Sequence, residues 1–292
     1  MNEELKILLV NPKTPNTFWS LSHALTFVSK KSLIPPLGLL TVAAMLPSSF
    51  QKKLVDLNVT DLCDSDILWA DYVFISAMGI QKKSVDQLID RCKNLNAKIV
   101  AGGPLFTAYP EAYLHVDHLL LKEAEVTLTA FLNDLERGCP GAYYSTREKP
   151  DLTNTPAPQW DLIDMKDYAI MGIQYSRGCP FNCDFCEITA VLGHKVRTKT
   201  VAQIIGELEN IYNHGWRGEV FFVDDNLIAK QKQVKSELLP AIIEWMEERN
   251  HPFTFNTQAS IDMVDDEELM TLMKKAGFGC VFVGIESPNE ES

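Results

Sequence analysis

Five short apolar runs, separated by stretches of helical character, organise the first 138 residues. They are Lys6-Ile7-Leu8-Leu9-Val10, Lys53-Leu54-Val55-Asp56-Leu57, Tyr72-Val73-Phe74-Ile75-Ser76, Lys98-Ile99-Val100-Ala101 and His118-Leu119-Leu120-Leu121. Strands with so little polar alternation are covered on both faces, as in a parallel sheet flanked by helices. Helices are expected from Pro36-Leu37-Gly38 through Leu46, from Val85 to Leu95 with Ser84 as N-cap, and from Glu123 to Glu136 with Gly138 as C-cap. The pattern predicts an α/β domain with a doubly wound parallel sheet over residues 1–138. Ligands of such sheets sit beyond the carboxyl ends of the strands. Asn11-Pro12, Asn58, Ser76-Ala77-Met78, Gly102-Gly103-Pro104 and Glu123 fall there. No G-x-G-x-x-G follows the first strand, which disfavours a dinucleotide.

Residues 139–168 read as a linker, punctuated by Pro140, Pro150, Pro156 and Pro158. A second α/β series occupies residues 169–292. Strands are expected at Gly172–Tyr175, Glu219–Val223, Thr254–Thr257 and Cys280–Glu286. Helices are expected at Val201–Tyr212, Val234–Glu248 (bent by Pro240) and Asp266–Ala276. A closed βα barrel needs more strands than these four, so the chain reads as part of a longer second domain.

Between the first strand and first helix of this series lies SRGCPFNCDFCEIT, residues 176–189. Cys179, Cys183 and Cys186 are three of the chain's seven cysteines. Bunched thiols in an odd-numbered set favour metal or catalysis over disulfides. Structural zinc takes four closed ligands, and Cys63, Cys92, Cys139 and Cys280 form no second C-x2-C pair. A four-iron cluster usually takes four cysteines, so three would leave one iron open to a substrate or cofactor. Zinc completed by His194, or cysteines that merely pack, are the alternatives. Pro180 and Asn182 suit the tight turns of such a loop, and Gly178 lets backbone approach a cluster.

The formal charge of −12 and pI near 5.0 exclude a strongly basic nucleic-acid footprint. Lys30-Lys31 and the trio Lys195, Arg197 and Lys199 read as ordinary solvated charges. The acidic opening Met1-Asn2-Glu3-Glu4 is no secretory signal. The apolar stretch Leu33–Leu46 is short of the ~20 residues that span a bilayer. A soluble, cytoplasmic protein is expected.

The C-x3-C-x2-C loop after the first barrel strand resembles the radical S-adenosylmethionine (radical SAM) superfamily. Phe185 matches an aromatic position common there, and the match continues in FFVDDNLI and FVGIES. The resemblance implies a 4Fe-4S cluster ligated by Cys179, Cys183 and Cys186. It implies S-adenosylmethionine held at the open iron and split to a 5′-deoxyadenosyl radical. Asp224, Asp225 and Glu286, with Gln258 and Ser260, are the implied S-adenosylmethionine contacts. Asp224-Asp225 would equally cap a helix, Ser260 a turn, and Glu286 would equally stand at a solvent-facing strand end. No catalytic side chain is assigned.

The N-terminal domain resembles the cobalamin-binding branch of the same superfamily, a flavodoxin-like sheet ahead of the barrel. VDLNV, FISAM, AGGPLFT and LLLKEAE carry this likeness. It places Ser76, Gly102 and Gly103 along a cobalamin nucleotide pocket. Two departures stand out. Asp56-Leu57-Asn58-Val59-Thr60-Asp61 replaces D-x-H-x-x-G and lacks its cobalt-binding histidine. Lys122 replaces the glycine of G-E-x-E before Glu123-Ala124-Glu125 and could crowd a ligand. Asn11-Pro12, Phe18-Trp19 and Ile34-Pro35-Pro36-Leu37-Gly38-Leu39 resemble the branch of the hopanoid methylases. The resemblance implies a methyltransferase acting on an unactivated carbon of a small or lipid-like substrate. It also implies an electron donor such as flavodoxin or ferredoxin; the absence of a basic cluster argues against a nucleic-acid partner. A different radical reaction with both cofactors, or a metal- or cobalamin-binding module without turnover, are the other readings. As part of a longer second domain, the chain is expected to bind a cluster yet turn nothing over, which multiple turnovers of S-adenosylmethionine on a substrate would refute.

Overall fold

The computed structural model describes residues 4–17 and 20–285. Phe18-Trp19 and Glu286 therefore lie outside the described residues. Two compact units divide the chain. The first runs to Pro150 and resumes over Thr155–Ala169; the second comprises Asp151–Asn154 and the residues from Ile170 onward.

In the first unit β1 (Lys6–Asn11), α1 (Ser22–Phe27), α2 (Leu37–Met45), β2 (Gln51–Asp56), α3 (Asp64–Trp69) and β3 (Tyr72–Ser76) come first. Then follow α4 (Lys82–Asn94), β4 (Ile99–Gly102), α5 (Pro104–Ala108), β5 (His118–Leu120), α6 (Ala124–Glu136) and β6 (Tyr143–Tyr144). The strands are parallel in the order β2-β1-β3-β4-β5-β6, the flavodoxin-like order with its switch point between β1 and β3. Strand side chains alternate between faces. Leu8 and Val10 join one core with Ile67, Val85, Leu88 and Ile89. Ile7 and Leu9 join the other with Leu39, Ala43, Leu128 and Phe131. Covering both faces is why these strands lack polar alternation.

Two local expectations change. Helix α4 starts at Lys82 rather than after Ser84. Gln81 sets that start: its Oε1 accepts from the Met78 amide at 2.9 Å and its Nε2 donates to the Pro12 carbonyl at 2.6 Å. The Ser84 hydroxyl accepts from the Lys13 amide instead of capping. Residues 139–169, expected as a linker to 168, are largely built onto the first unit. Strand β6 extends the sheet, and Trp160 and Tyr168 are buried. Lys149 pairs with Glu123 at 3.4 Å, and the Thr155 hydroxyl donates to Glu125 at 3.1 Å. Gly138 takes the expected left-handed turn after α6, with φ 75°.

The second unit holds β7 (Met171–Ile173), β8 (Ser176–Arg177), α7 (Ile188–Leu192), β9 (Arg197–Thr198), α8 (Val201–Asn213) and β10 (Gly218–Phe222). They are followed by α9 (Gln231–Gln233), α10 (Leu239–Glu248), β11 (Phe253–Ala259), α11 (Glu267–Ala276) and β12 (Phe278–Val283). Strands β7, β10, β11 and β12 form one parallel sheet in chain order, as in part of a βα barrel. Helix α8 begins on a capping box, with the Thr200 hydroxyl accepting from the Gln203 amide at 3.2 Å. The helix expected over 234–248 is interrupted: a π turn at Val234–Leu238 separates α9 from α10. Pro240 lacks an N–H for the helical ladder, which accounts for the break just ahead of it. Along β11, Phe253, Phe255, Thr257 and Ala259 are buried, while Thr254 and Gln258 are exposed on the other face. Trp245 of α10 stacks on Phe253 at 5.3 Å, and Phe222 meets Phe255 edge-on at 5.5 Å. Among the described residues no helix is long and apolar enough to cross a membrane.

Candidate metal centre

The three neighbouring cysteines lie on a loop closed at its neck. β8 leaves and β9 returns antiparallel, pairing Ser176 with Thr198 and Arg177 with Arg197. Gly178 sits just past the neck at φ 96°, a conformation L side chains rarely adopt. A Cβ there would lie 2.8 Å from the Gly193 carbonyl and 2.9 Å from that of Lys195. The glycine is therefore required for the two limbs of the loop to close. The Cys179 amide donates to Gly193 O at 3.3 Å, and the Cys186 amide to Cys183 O at 3.0 Å.

Cys179 and Cys186 are partly buried and Cys183 is exposed; all seven cysteines are free thiols. Burial pushes the Cys179 thiol up, against the hydrogen bond from the Phe181 amide. Cys186, Cys183 and Asp225 push it further in the same direction. A thiol so held suits a cationic metal assembly, which takes thiolates and releases their protons. Among the described residues no three His, Cys, Asp or Glu side chains are gathered to hold a single metal ion. His194 is exposed. Three free thiols on one loop are the donor type that iron–sulfur clusters take, so the donor set fits such a cluster. Cys92 is buried with its thiol raised to about 11, the mark of an inert core residue.

Asp224, expected as a cofactor contact, is fully buried. Its Oδ2 accepts from the Tyr175 amide at 3.0 Å, and its Oδ1 from the amide and hydroxyl of Ser176. It ties the end of β10 to the departing limb of the cysteine loop. Asp225 is half-buried. Burial raises its carboxyl while the charge of Arg177 draws it down. Ser260 precedes a 3-10 turn at Ile261–Asp265, but its side chain does not cap that turn. Its hydroxyl accepts from Asn226 Nδ2 at 2.9 Å, and its amide donates to Asn226 Oδ1 at 3.3 Å. Asn226 is thus a residue that sequence reading passed over. Its one signal is its place in Asp224-Asp225-Asn226 at a strand end. Gln258 is exposed, in register with exposed Phe282 of β12. Lys199, expected in solvent, is buried against Glu207 of α8, with exposures of 5% and 2%.

In the first unit Ser76 and Gly102 are register partners at the carboxyl ends of β3 and β4. Gly103 follows at φ 93°, ψ −176°. A Cβ on it would lie 2.7 Å from Ser76 Oγ, and one on Gly102 would lie 2.8 Å from the Leu120 carbonyl. Both glycines answer first to the packing of their own chain. Met78 and Ile80 stand exposed just beyond β3, offering apolar surface suited to a large, flat cofactor. Asn58 has no imidazole to offer and is held internally. Its Nδ2 donates to Asp56 Oδ1 at 2.7 Å, and its Oδ1 accepts from the Thr14 amide at 2.8 Å. Buried Asp56 also accepts from Asn11 at 2.9 Å and from the Tyr168 hydroxyl at 3.1 Å. Lys122 adopts φ 69°, which is why a glycine suits that position.

Residues 25–132 match the B12 binding domain, and residues 173–291 match the Radical SAM superfamily. The chain is 44% identical over 290 residues to an uncharacterized methyltransferase of Synechocystis sp., covering 99% of this chain and 54% of that protein. It is 33% identical over 289 residues to hopanoid C-2 methylase of Rhodopseudomonas palustris, covering 97% of this chain and 55% of that one. A solved cobalamin-dependent S-adenosylmethionine radical enzyme, OxsB, with aqua-cobalamin bound, has a TM-score of 0.77 at 19% identity. That match covers 99% of this chain and 45% of the other, and it shows a shared fold. The chain spans about half the length of the curated relatives it matches.

Proposed function

The chain belongs to the radical SAM superfamily, with a B12 binding domain ahead of the radical SAM region, and from that premise we propose that it serves a cobalamin-dependent methyl transfer. The proposed acceptor is an unactivated carbon of a small or lipid-like substrate. The observation that carries the reading is the closed loop bearing Cys179, Cys183 and Cys186 at the carboxyl end of the first strand of the second unit's sheet. The printed names of the two relatives, a methyltransferase and a hopanoid methylase, support the choice of methyl transfer.

When bound, the 4Fe-4S cluster supplies the electron that cleaves S-adenosylmethionine, and cobalamin supplies a transferable methyl group. The protein's share is to hold and aim. Cys179, Cys183 and Cys186 would hold the cluster as thiolates. Gly178 allows the loop to close. Asp224 fixes the limb from which the loop hangs, and acts through Tyr175 and Ser176. Asp225 and Gln258 are the better placed of the expected S-adenosylmethionine contacts, because Asp224 and Ser260 already serve protein partners. Ser76, Gly102 and Gly103 would shape the edge offered to the cobalamin nucleotide, and Asn58, held by Asp56 and Thr14, would offer it no imidazole.

The test is a single-turnover reaction of the anaerobically loaded chain with cobalamin, S-adenosylmethionine and a low-potential reductant. Methyl transfer requires both 5′-deoxyadenosine and S-adenosylhomocysteine, and Cys183→Ala should lose the 5′-deoxyadenosine. Deoxyadenosine with no S-adenosylhomocysteine would leave a radical enzyme but contradict methyl transfer.

A further inference from the structure

The Lys199–Glu207 pair lies behind the cysteine loop, not in it. Lys199 directly follows β9, the returning limb, and Glu207 lies midway along α8. The Lys199 amide donates to the Tyr175 carbonyl at 2.8 Å, across the neck. Its ammonium meets Glu207 Oε1; Glu207 Oε2 has no hydrogen-bond partner among the described residues. A pair this buried is a poor stabiliser. Desolvation of two charges offsets their attraction, and apolar residues of similar volume in their place are often neutral or better. What the pair does supply is direction. An ammonium out of water must meet its acceptor, so a carboxylate on a rigid helix fixes where residue 199 sits.

The departing limb is fixed in the same manner by Asp224, through Tyr175 and Ser176. Between the two anchors, Arg177 lies directly opposite Arg197. Each is hydrogen-bonded near its own limb, Arg177 Nε donating to Gln174 Oε1 and Arg197 to the Leu192 carbonyl. The neck is a ladder of only two residue pairs, too short to hold its register alone, so anchors outside it bear on that register. Cys179 begins two residues past that register, with its amide on Gly193 of the returning limb. A shift of β9 would move Cys179 relative to Cys183 and Cys186.

We propose that Lys199 and Glu207 are positioning residues for the iron–sulfur cluster, setting the spacing of the two limbs between which its three ligands lie. The inference rests on the reading of the three cysteines as cluster ligands.

Lys199→Met combined with Glu207→Leu removes both charges and keeps apolar volume. This variant should melt at or above the parent's temperature. After anaerobic loading with iron and sulfide, it should lose iron to a chelator roughly tenfold faster, the usual scale for outer-shell partners of a metal site. Its reduced cluster should also show altered electron paramagnetic resonance g-values. A folded variant with the parent's rate of iron loss and the parent's spectrum overturns the proposal. If the double variant does not fold, Lys199→Arg decides. It keeps the charges but relocates the donors, so faster iron loss supports the proposal and an unchanged rate overturns it. Failure of the parent chain to take up iron and sulfide is a different result: it removes the cluster reading, and this inference with it.

Discussion

Asp224 holds Ser176 twice, its Oδ1 accepting from both the amide and the hydroxyl at 2.5 Å. The residue that closes the β10 strand end thereby anchors the segment from which the three cysteines hang. Burial raises the Asp224 carboxyl to about 6, against the lowering pull of the Ser176 and Tyr175 donors.

A pH dependence follows. Folded Asp224 keeps its proton to a higher pH than an unfolded aspartate, which titrates near ~3.9. Its contribution is fully present below about pH 4 and is lost as pH rises through about 6. The loss is on the order of 3 kcal/mol for a fully buried group shifted by about two units. Urea unfolding of the metal-free chain near pH 4.5 and near pH 7, beside Asp224→Asn, measures it. The parent should lose stability relative to the variant across that interval, and parallel behaviour would remove the effect.

Gly103→Ala should destabilise the first unit by about 2–3 kcal/mol, because its φ and ψ belong to a region that glycine nearly monopolises. Adding Ser76→Ala relieves the 2.7 Å approach to Ser76 Oγ but not the backbone strain, so it should restore only a minor part. Thermal melting of the three variants checks both statements.

Lys122→Gly should raise stability by up to ~1 kcal/mol. It relieves a left-handed lysine but adds freedom to the unfolded chain. Lys122→Val should lower it, since branching at Cβ is worst tolerated there. The Lys122 amide keeps its 2.8 Å bond to the Thr107 hydroxyl in either case. Equal melting temperatures for glycine and valine would contradict the assignment.

Asn58 stands where a cobalt-binding histidine would be, and its amide is engaged with Asp56, Pro12 and Thr14. Cob(II)alamin bound to the chain should therefore give the same electron paramagnetic resonance spectrum whether histidine carries ¹⁴N or ¹⁵N. A change in nitrogen splitting on labelling would place a protein imidazole on cobalt.

The first unit's sheet was legible because each strand carries its own apolar signature, as in Leu8-Leu9-Val10 and Val73-Phe74-Ile75. The cysteine loop was legible because its information lies within eight residues, from Cys179 to Cys186. What escaped depends on distant partners. Strand β6 is two residues long and is fixed by the Tyr144 hydroxyl, which donates to Asp134 at 3.0 Å and accepts from the Gly141 amide. No local pattern announces it among the prolines. Lys199 looks solvated beside Lys195 and Arg197, and only folding brings it against Glu207. Asp224 and Ser260 were correctly placed at strand ends, but their spacing could not say that protein groups, rather than a ligand, take up their polar atoms.

The central claim is that three thiols on one loop hold a cluster with an open iron. The most direct test is anaerobic reconstitution with iron and sulfide. It would be followed by iron counting and electron paramagnetic resonance with and without S-adenosylmethionine, with Cys183→Ala in parallel. The account predicts about four irons per chain, a spectrum that shifts when S-adenosylmethionine is added, and loss of both in the variant. Zinc without sulfide, or no metal at all, would contradict it.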